Sequence, residues 1–282
     1  MPDTEKWSLI ITPKRRLLDL NIREIIRYRD LVLLFVKRDY TTQYKQTILG
    51  PLWFVITPLI STVMYTFIFG QLAGIGTDAI PHILFYYSGT LLWIFFSSCF
   101  GSSSNVFAAN AGIFGKVYFP RLVVPINNFI SHSIKAFIQF FMLMVFFIYY
   151  LVIGTPLFPS WQMVFFPLLL VWLGATGTGA GLVISSITTK YRDLRNLVGY
   201  IVGLAMYATP VVYPISEIPE SFRWIAYINP VSAPIELFRQ WFFGFSSVNG
   251  IMILSSLGIT VFVLFIGLIL FNKNEQNFID VI

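Results

Sequence analysis

"IFGKVYFPRLVVP", residues 113–125, lies between two long apolar stretches of the chain. It sets Lys116 and Arg121 around Tyr118 and Phe119, with Pro120 between the rings and the arginine. Which surface of a membrane this cationic turn faces decides how the rest of the sequence is threaded.

The threading follows from composition. Of 282 residues, 56% are hydrophobic and 11% charged, with a mean hydropathy of +0.75. Soluble domains carry roughly 25% charged residues, so this chain reads as an all-α integral membrane protein. A span needs about 20 apolar residues, because the hydrocarbon core is about 30 Å thick. Six stretches satisfy that: 51–72, 83–106, 128–153, 163–187, 197–215 and 250–271.

Charge then sets the direction. Sixteen of the 19 Lys and Arg residues fall before the first span, after spans two and four, and in the tail. Only Arg223 and Arg239 fall on the other side, and Lys135 lies within a span. Both termini, and the 113–125 turn, are therefore expected in the cytoplasm. The net charge of +6 sits beside the spans, where cations meet lipid headgroups, so nucleic acid is not a partner this pattern calls for. The polar first fifty residues do not read as a cleavable signal peptide.

Two regions are expected not to cross. In residues 22–40, Ile22, Ile26, Leu33, Val36 and Tyr40 share one helical face. Arg23, Arg27, Lys37 and Arg38 lie off it, and Asp39 follows. That is the pattern of a helix lying in the interface, although the apolar second half also suits burial against the bundle. Residues 1–50 are read as a cytoplasmic segment carrying this helix, and 51–282 as the transmembrane domain. Residues 214–250 are apolar but broken by Pro214, Pro219, Pro230 and Pro234, with Glu217, Glu220 and Glu236 among them. Short re-entrant helices between spans five and six fit that spacing.

Missing residue types are as telling. No G-x-x-x-x-G-K-[ST] occurs, so the chain cannot cradle nucleotide phosphates in a P-loop. The run "GATGTGAGL" (174–182) lies inside span four and reads as small residues for close helix packing. The six stretches contain no Asp or Glu, which argues against ion-coupled carriage and against acid–base catalysis. One cysteine, Cys99, and two histidines, His82 and His132, offer neither a disulfide nor a metal site. No catalytic residue, metal or bound cofactor is expected, and transport would draw its energy from another chain. Asn128, Ser131, His132, Lys135 and Gln139 form a polar stripe in span three. It could line a wet passage or bind a neighbouring protomer, but residues 136–153 alone nearly span the bilayer, which favours Lys135 snorkelling to the cytoplasmic surface.

"NAGIFGKVYFPRLVVP" (110–125) resembles the cytoplasmic coupling segment of ABC-2 type exporter permeases, the branch that exports bacterial polysaccharides. "RDLVLLFVKRDYTTQYKQTILGPLWFVITPL" (29–59), "KYRDL" (190–194), "INPVSAPIELFRQWFFG" (228–244) and "NEQNFIDVI" (274–282) are similar, in order, to other parts of that branch. The resemblance runs from about residue 20 to the end. It implies a multi-pass inner-membrane homodimer joined to two copies of an ABC ATPase that binds ATP and Mg. It implies that Lys116, Tyr118, Phe119, Pro120 and Arg121 dock in that ATPase, with the two aromatics as anchors and Pro120 and Pro125 stiffening the turn. It also implies a conduit lined by spans one and five. Trp53, Thr57, Ser61 and Tyr65 lie four apart on the first, and Tyr200, Tyr207 and Tyr213 are the aromatic positions of the fifth. The expected cargo is a polyprenyl-linked glycan, O-antigen or capsular polysaccharide. Teichoic acid or a small amphipathic molecule fits the same architecture, and a membrane-bound glycosyl- or acyltransferase is the rival from another class.

Overall fold

The computed structural model describes residues 22–45, 47–114, 116, 119–188, 194–245 and 248–277. Among these the regular structure is helical throughout. Two helices, α1 (Ile22–Arg27) and α2 (Arg29–Tyr44), precede the first span. That span, Gly50–Leu72, starts with a 3₁₀ turn and continues as α3 (Trp53–Tyr65). It ends in seven π-helical residues, Thr66–Leu72. Pro51 occupies the start, where its missing N–H costs nothing, while Pro58 sits buried inside α3.

The centre is built from α4 (His82–Ser104) and α7 (Phe166–Thr188). Between them run α5 (Val106–Phe114) and α6 (Val123–Val152). A serine in α4 does not have to reach water: Ser88 Oγ donates to Phe85 O at 2.9 Å and Ser102 Oγ to Cys99 O at 3.2 Å. The glycine run of α7 lets two helices close on it. A Cβ on Gly177 would lie 2.7 Å from Phe96 O, and one on Gly181 would lie 2.5 Å from Phe100 O, both in the α4 backbone. A Cβ on Gly179 would lie 2.6 Å from Leu264 Cα, in α11 (Gly250–Asn277). The packing reading of "GATGTGAGL" therefore holds, with two glycines facing α4 and one facing α11. Hydroxyls join α7 and α11 as well, Thr176 Oγ1 to Thr260 Oγ1 at 2.8 Å.

Among the described residues, five helices are long and apolar enough to cross a membrane: Gly50–Leu72, His82–Ser104, Val123–Val152, Trp161–Thr188 and Gly250–Asn274. They match five of the six expected spans. The stretch expected as span five differs. Its helix, α8, covers Leu194–Ala205, about 18 Å of rise, and the chain then proceeds in turns to Pro214. Pro210 explains the stop, since its ring would collide with the carbonyl four residues back, at Met206. The helix ends one residue before that carbonyl. Residues 189–193, which hold Lys190 and Arg192, lie outside the described part.

After α8 come 3₁₀ turns at Ile215–Glu217 and Glu220–Phe222, then α9 (Arg223–Ile228) and α10 (Ser232–Phe243). Short helices were expected here, and short helices are found. Gly244, at φ +81°, closes α10 in the left-handed region, with its N–H donating to Gln240 O. The molecule thus has a basic end, holding α2, α5 and the 116–122 turn, and a proline-rich end, holding residues 206–245.

Candidate coupling turn and conduit face

The turn between α5 and α6 is shaped by aromatic packing. Phe119 is 5% exposed. It meets Phe35 of α2 edge to face at 5.9 Å and Phe114 at 5.8 Å. Pro120 is buried, and its carbonyl accepts the N–H of Val123 at 3.0 Å, starting α6. Arg121 is 7% exposed, its guanidinium 5.4 Å from the centre of the Phe114 ring. Lys116 is exposed. Tyr118 lies outside the described residues. The expected docking set is therefore divided. Lys116 faces outward, while Phe119, Pro120 and Arg121 are held within the chain, so Phe119 shapes the turn rather than offering an anchor to a partner.

The wall that holds Phe119 is α2. Val32, Phe35 and Val36 are its buried residues, spaced i, i+3 and i+4. The face expected to be buried is displaced: Val36 belongs to it, Tyr40 is half-buried, and Ile26 and Leu33 are 61% and 62% exposed. The side chains of Ile22 and Arg23 lie outside the described set. Among the expected interface residues, Arg27 is exposed. Arg38 donates through Nε and Nη2 to Asp39 Oδ1 at 3.0 and 2.8 Å. Asp39 in turn joins α2 to α6, its Oδ2 accepting from Asn127 Nδ2 at 2.7 Å. Phe35 and Asn127 were missed from sequence; the i, i+3, i+4 set of α2 was the signal for the first.

The expected conduit residues fall into two groups. Trp53 and Thr57 are exposed near the basic end of span one. Further along, Tyr65 donates its hydroxyl to Met206 Sδ at 3.6 Å, and Tyr213 donates to Tyr207 O at 2.7 Å. Span one thereby meets the turns that follow α8, with Tyr65, Tyr207 and Tyr213 gathered there. Ser61 is half-buried between the groups, and Tyr200, 74% exposed, stands apart on α8. Both elements carry exposed apolar faces. Ile60, Val63 and Phe67 of span one and Leu197, Ile201 and Leu204 of α8 are exposed. Only 17% of the most apolar window of span one is buried, against 72% for α4.

Two cations lie among these apolar helices. Arg239 is 1% exposed. Its Nη1 donates to Glu236 Oε1 at 2.8 Å and to Pro210 O at 2.6 Å, and its Nη2 to Val211 O at 3.0 Å. The guanidinium also stacks 3.7 Å from the centre of the Phe85 ring. It therefore clamps α10 and the broken end of α8 to α4. Lys135 of α6 is half-buried; its Nζ donates to Gln43 Oε1 of α2 at 2.7 Å and lies 5.2 Å from the Phe54 ring centre. Lys135 thereby reaches α2 through an exposed hydrogen bond. His132 Nε2 lies 3.2 Å from Ser102 Oγ, and Ser131 and Gln139 are buried.

A profile described as "ABC-2 type transporter" matches residues 30–243. The chain belongs to the ABC-2 type transporter family. The match runs from α2 through α10, so this family's domain contains the turn, both conduit groups and both cations. Among curated proteins, the chain is 30% identical over 258 residues to an O-antigen export system permease protein RfbA of Klebsiella pneumoniae, covering 90% of this chain and 95% of the relative. It is 24% identical over 261 residues to an O-antigen export system permease protein RfbA of Myxococcus xanthus, covering 92% and 98%. It is 23% identical over 241 residues to a polysialic acid transport protein KpsM of Escherichia coli, covering 85% and 91%. As a member of the ABC-2 family the chain is a multi-pass transport subunit.

Proposed function

We propose that this ABC-2 permease exports a polyprenyl-linked polysaccharide, of the O-antigen or capsular class, across the bacterial inner membrane. The basic end faces the cytoplasm, as the distribution of Lys and Arg requires. A separate ABC ATPase, two copies on a homodimer of this chain, supplies the energy, and no step of chemistry is assigned to the permease itself. The similarity to permeases named for O-antigen export supports the cargo class.

One structural observation carries the conduit: Trp53 and Thr57 of span one are exposed. Paired across a dimer with its own copy, the face that holds them and the exposed face of α8 would enclose a passage of rings and hydroxyls. Aromatic faces offer CH–π contact to a sliding sugar, and hydroxyls exchange hydrogen bonds with it without one deep trap. Closure of the ATPase would be delivered at Lys116 and carried inward through Phe119 to Phe35. Since α2 is bonded to α6 at Asp39–Asn127 and Gln43–Lys135, the turn and the helices it moves act as one unit.

The test is deletion of the gene in its host, with complementation by the wild-type chain. Loss of surface polysaccharide on deletion, with the lipid-linked polymer accumulating in the inner membrane, is the expected result. Normal surface polysaccharide after deletion would reject the reading.

A further inference from the structure

Lys135 stands at the edge of a crevice of about 190 Å³ between α2, α3, α4 and α6, lined by Gln43, Trp53, Thr57, Ser98 and His132 among others. The lining contains an ammonium, amides, hydroxyls and an imidazole, and no carboxylate. It is a surface rich in hydrogen-bond donors and short of negative charge. We propose that this crevice binds the phosphate of a lipid headgroup.

Depth supports that class of ligand. Lys135 is the thirteenth residue of α6, about 18 Å of rise from its start at the basic end. The 17 residues beyond it rise about 26 Å, close to the roughly 30 Å of hydrocarbon. The ammonium therefore lies at the edge of the oil on the basic side, the level at which lipid phosphates lie. Its valences support the class too. An ammonium has three donors, and among the described residues Gln43 Oε1 is the hydrogen-bond acceptor that Nζ meets. No carboxylate among them comes within ion-pair distance of Nζ. Asp39, the carboxylate whose charge acts on Lys135, is bonded to Arg38 and Asn127, and a phosphate oxygen would supply further charge and acceptors together. Access supports it as well, because Trp53 and Thr57 line the crevice and are both exposed.

The site adjoins the proposed conduit face, and its assignment to the glycan's lipid carrier, as opposed to membrane phospholipid, rests on the export reading. The experiment reads binding by the purified full-length chain alone, so it stands apart from the deletion test of export. The thermal unfolding midpoint is followed in detergent against farnesyl diphosphate, farnesol and dioleoylphosphatidylglycerol. Farnesyl diphosphate should raise the midpoint of the wild type and farnesol should not. Lys135→Met should bind farnesyl diphosphate at least about ten-fold more weakly, and Lys135→Arg should keep the response. Thr57→Trp, placed at an exposed lining position, should also abolish it with Lys135 intact, which covers the case in which Lys135→Met does not fold. A Lys135-dependent response to phosphatidylglycerol as strong as that to the diphosphate would support the site and give it to membrane phospholipid. Equal responses to farnesyl diphosphate in the wild type and in Thr57→Trp, or in the wild type and a folded Lys135→Met, would overturn the proposal.

Discussion

Arg239 and Lys135 are both cations set among apolar helices, yet their surroundings have little in common. Arg239 has a carboxylate, two carbonyls and an aromatic face around it, and almost no exposed surface. Lys135 has one amide oxygen, one distant ring, the charge of Asp39 beyond ion-pair distance and an open crevice. A cation held by a carboxylate, two carbonyls and a ring holds structure together. One left short of acceptors beside an opening is able to take a ligand. The proline-rich end is accordingly a clamp, and the basic end is where partners and lipid headgroups are met.

The contrast is broken most severely at Arg239. Arg239→Met should leave Glu236 buried without its guanidinium and cost about 3–5 kcal/mol, read as a collapse in folded yield and a large fall in unfolding temperature. Exchanging the pair, Glu236→Arg with Arg239→Glu, should not restore stability, because a carboxylate cannot donate to Pro210 O and Val211 O. Full recovery in the exchanged pair would mean that charge pairing alone accounts for the clamp.

Next in size is the aromatic link at the basic end. Phe119→Ala should cost about 3 kcal/mol by emptying the space against Phe35 and Phe114, and should lower ATPase stimulation along with stability. Gly181→Ala should cost about 1–3 kcal/mol, since its Cβ would press on Phe100 O in the α4 backbone. The smallest effect on stability belongs to Lys116→Glu, within about 0.5 kcal/mol, because that side chain is exposed. Its effect on coupling should be large: export lost with the fold intact. Arg121, buried at the same turn, cannot make that separation, since reversing its charge would disturb folding as well.

Much of the fold was legible in the sequence, for identifiable reasons. Five spans follow from apolar length alone, and the Gly177–Gly181 spacing announced helices in close contact. In the stretch expected as span five the described helix stops at Ala205, and hydropathy does not register the collision of Pro210 with the carbonyl of Met206. The buried face of α2 was misplaced because the opposite side of the helix, at Leu33 and Leu34, is apolar too. Phe119 was read as an anchor for a partner because the ring that covers it, Phe35, lies 84 positions earlier in the chain. The acceptor of Lys135 could not be read, because Gln43 lies on a helix whose approach to α6 the sequence does not reveal. Apolar length and glycine spacing can be read along one strand of text, whereas the partner of a side chain across the fold cannot.

The central claim is that an ATPase drives glycan through this permease by way of the 116–121 turn. It is tested most directly in proteoliposomes holding the chain and its partner ATPase, by measuring ATP-dependent movement of polyprenyl-linked glycan with the wild type and with Lys116→Glu. The account predicts transport by the wild type and its loss in the variant at unchanged unfolding temperature. Equal transport by the two, or a wild-type chain that never associates with an ATPase, would contradict it.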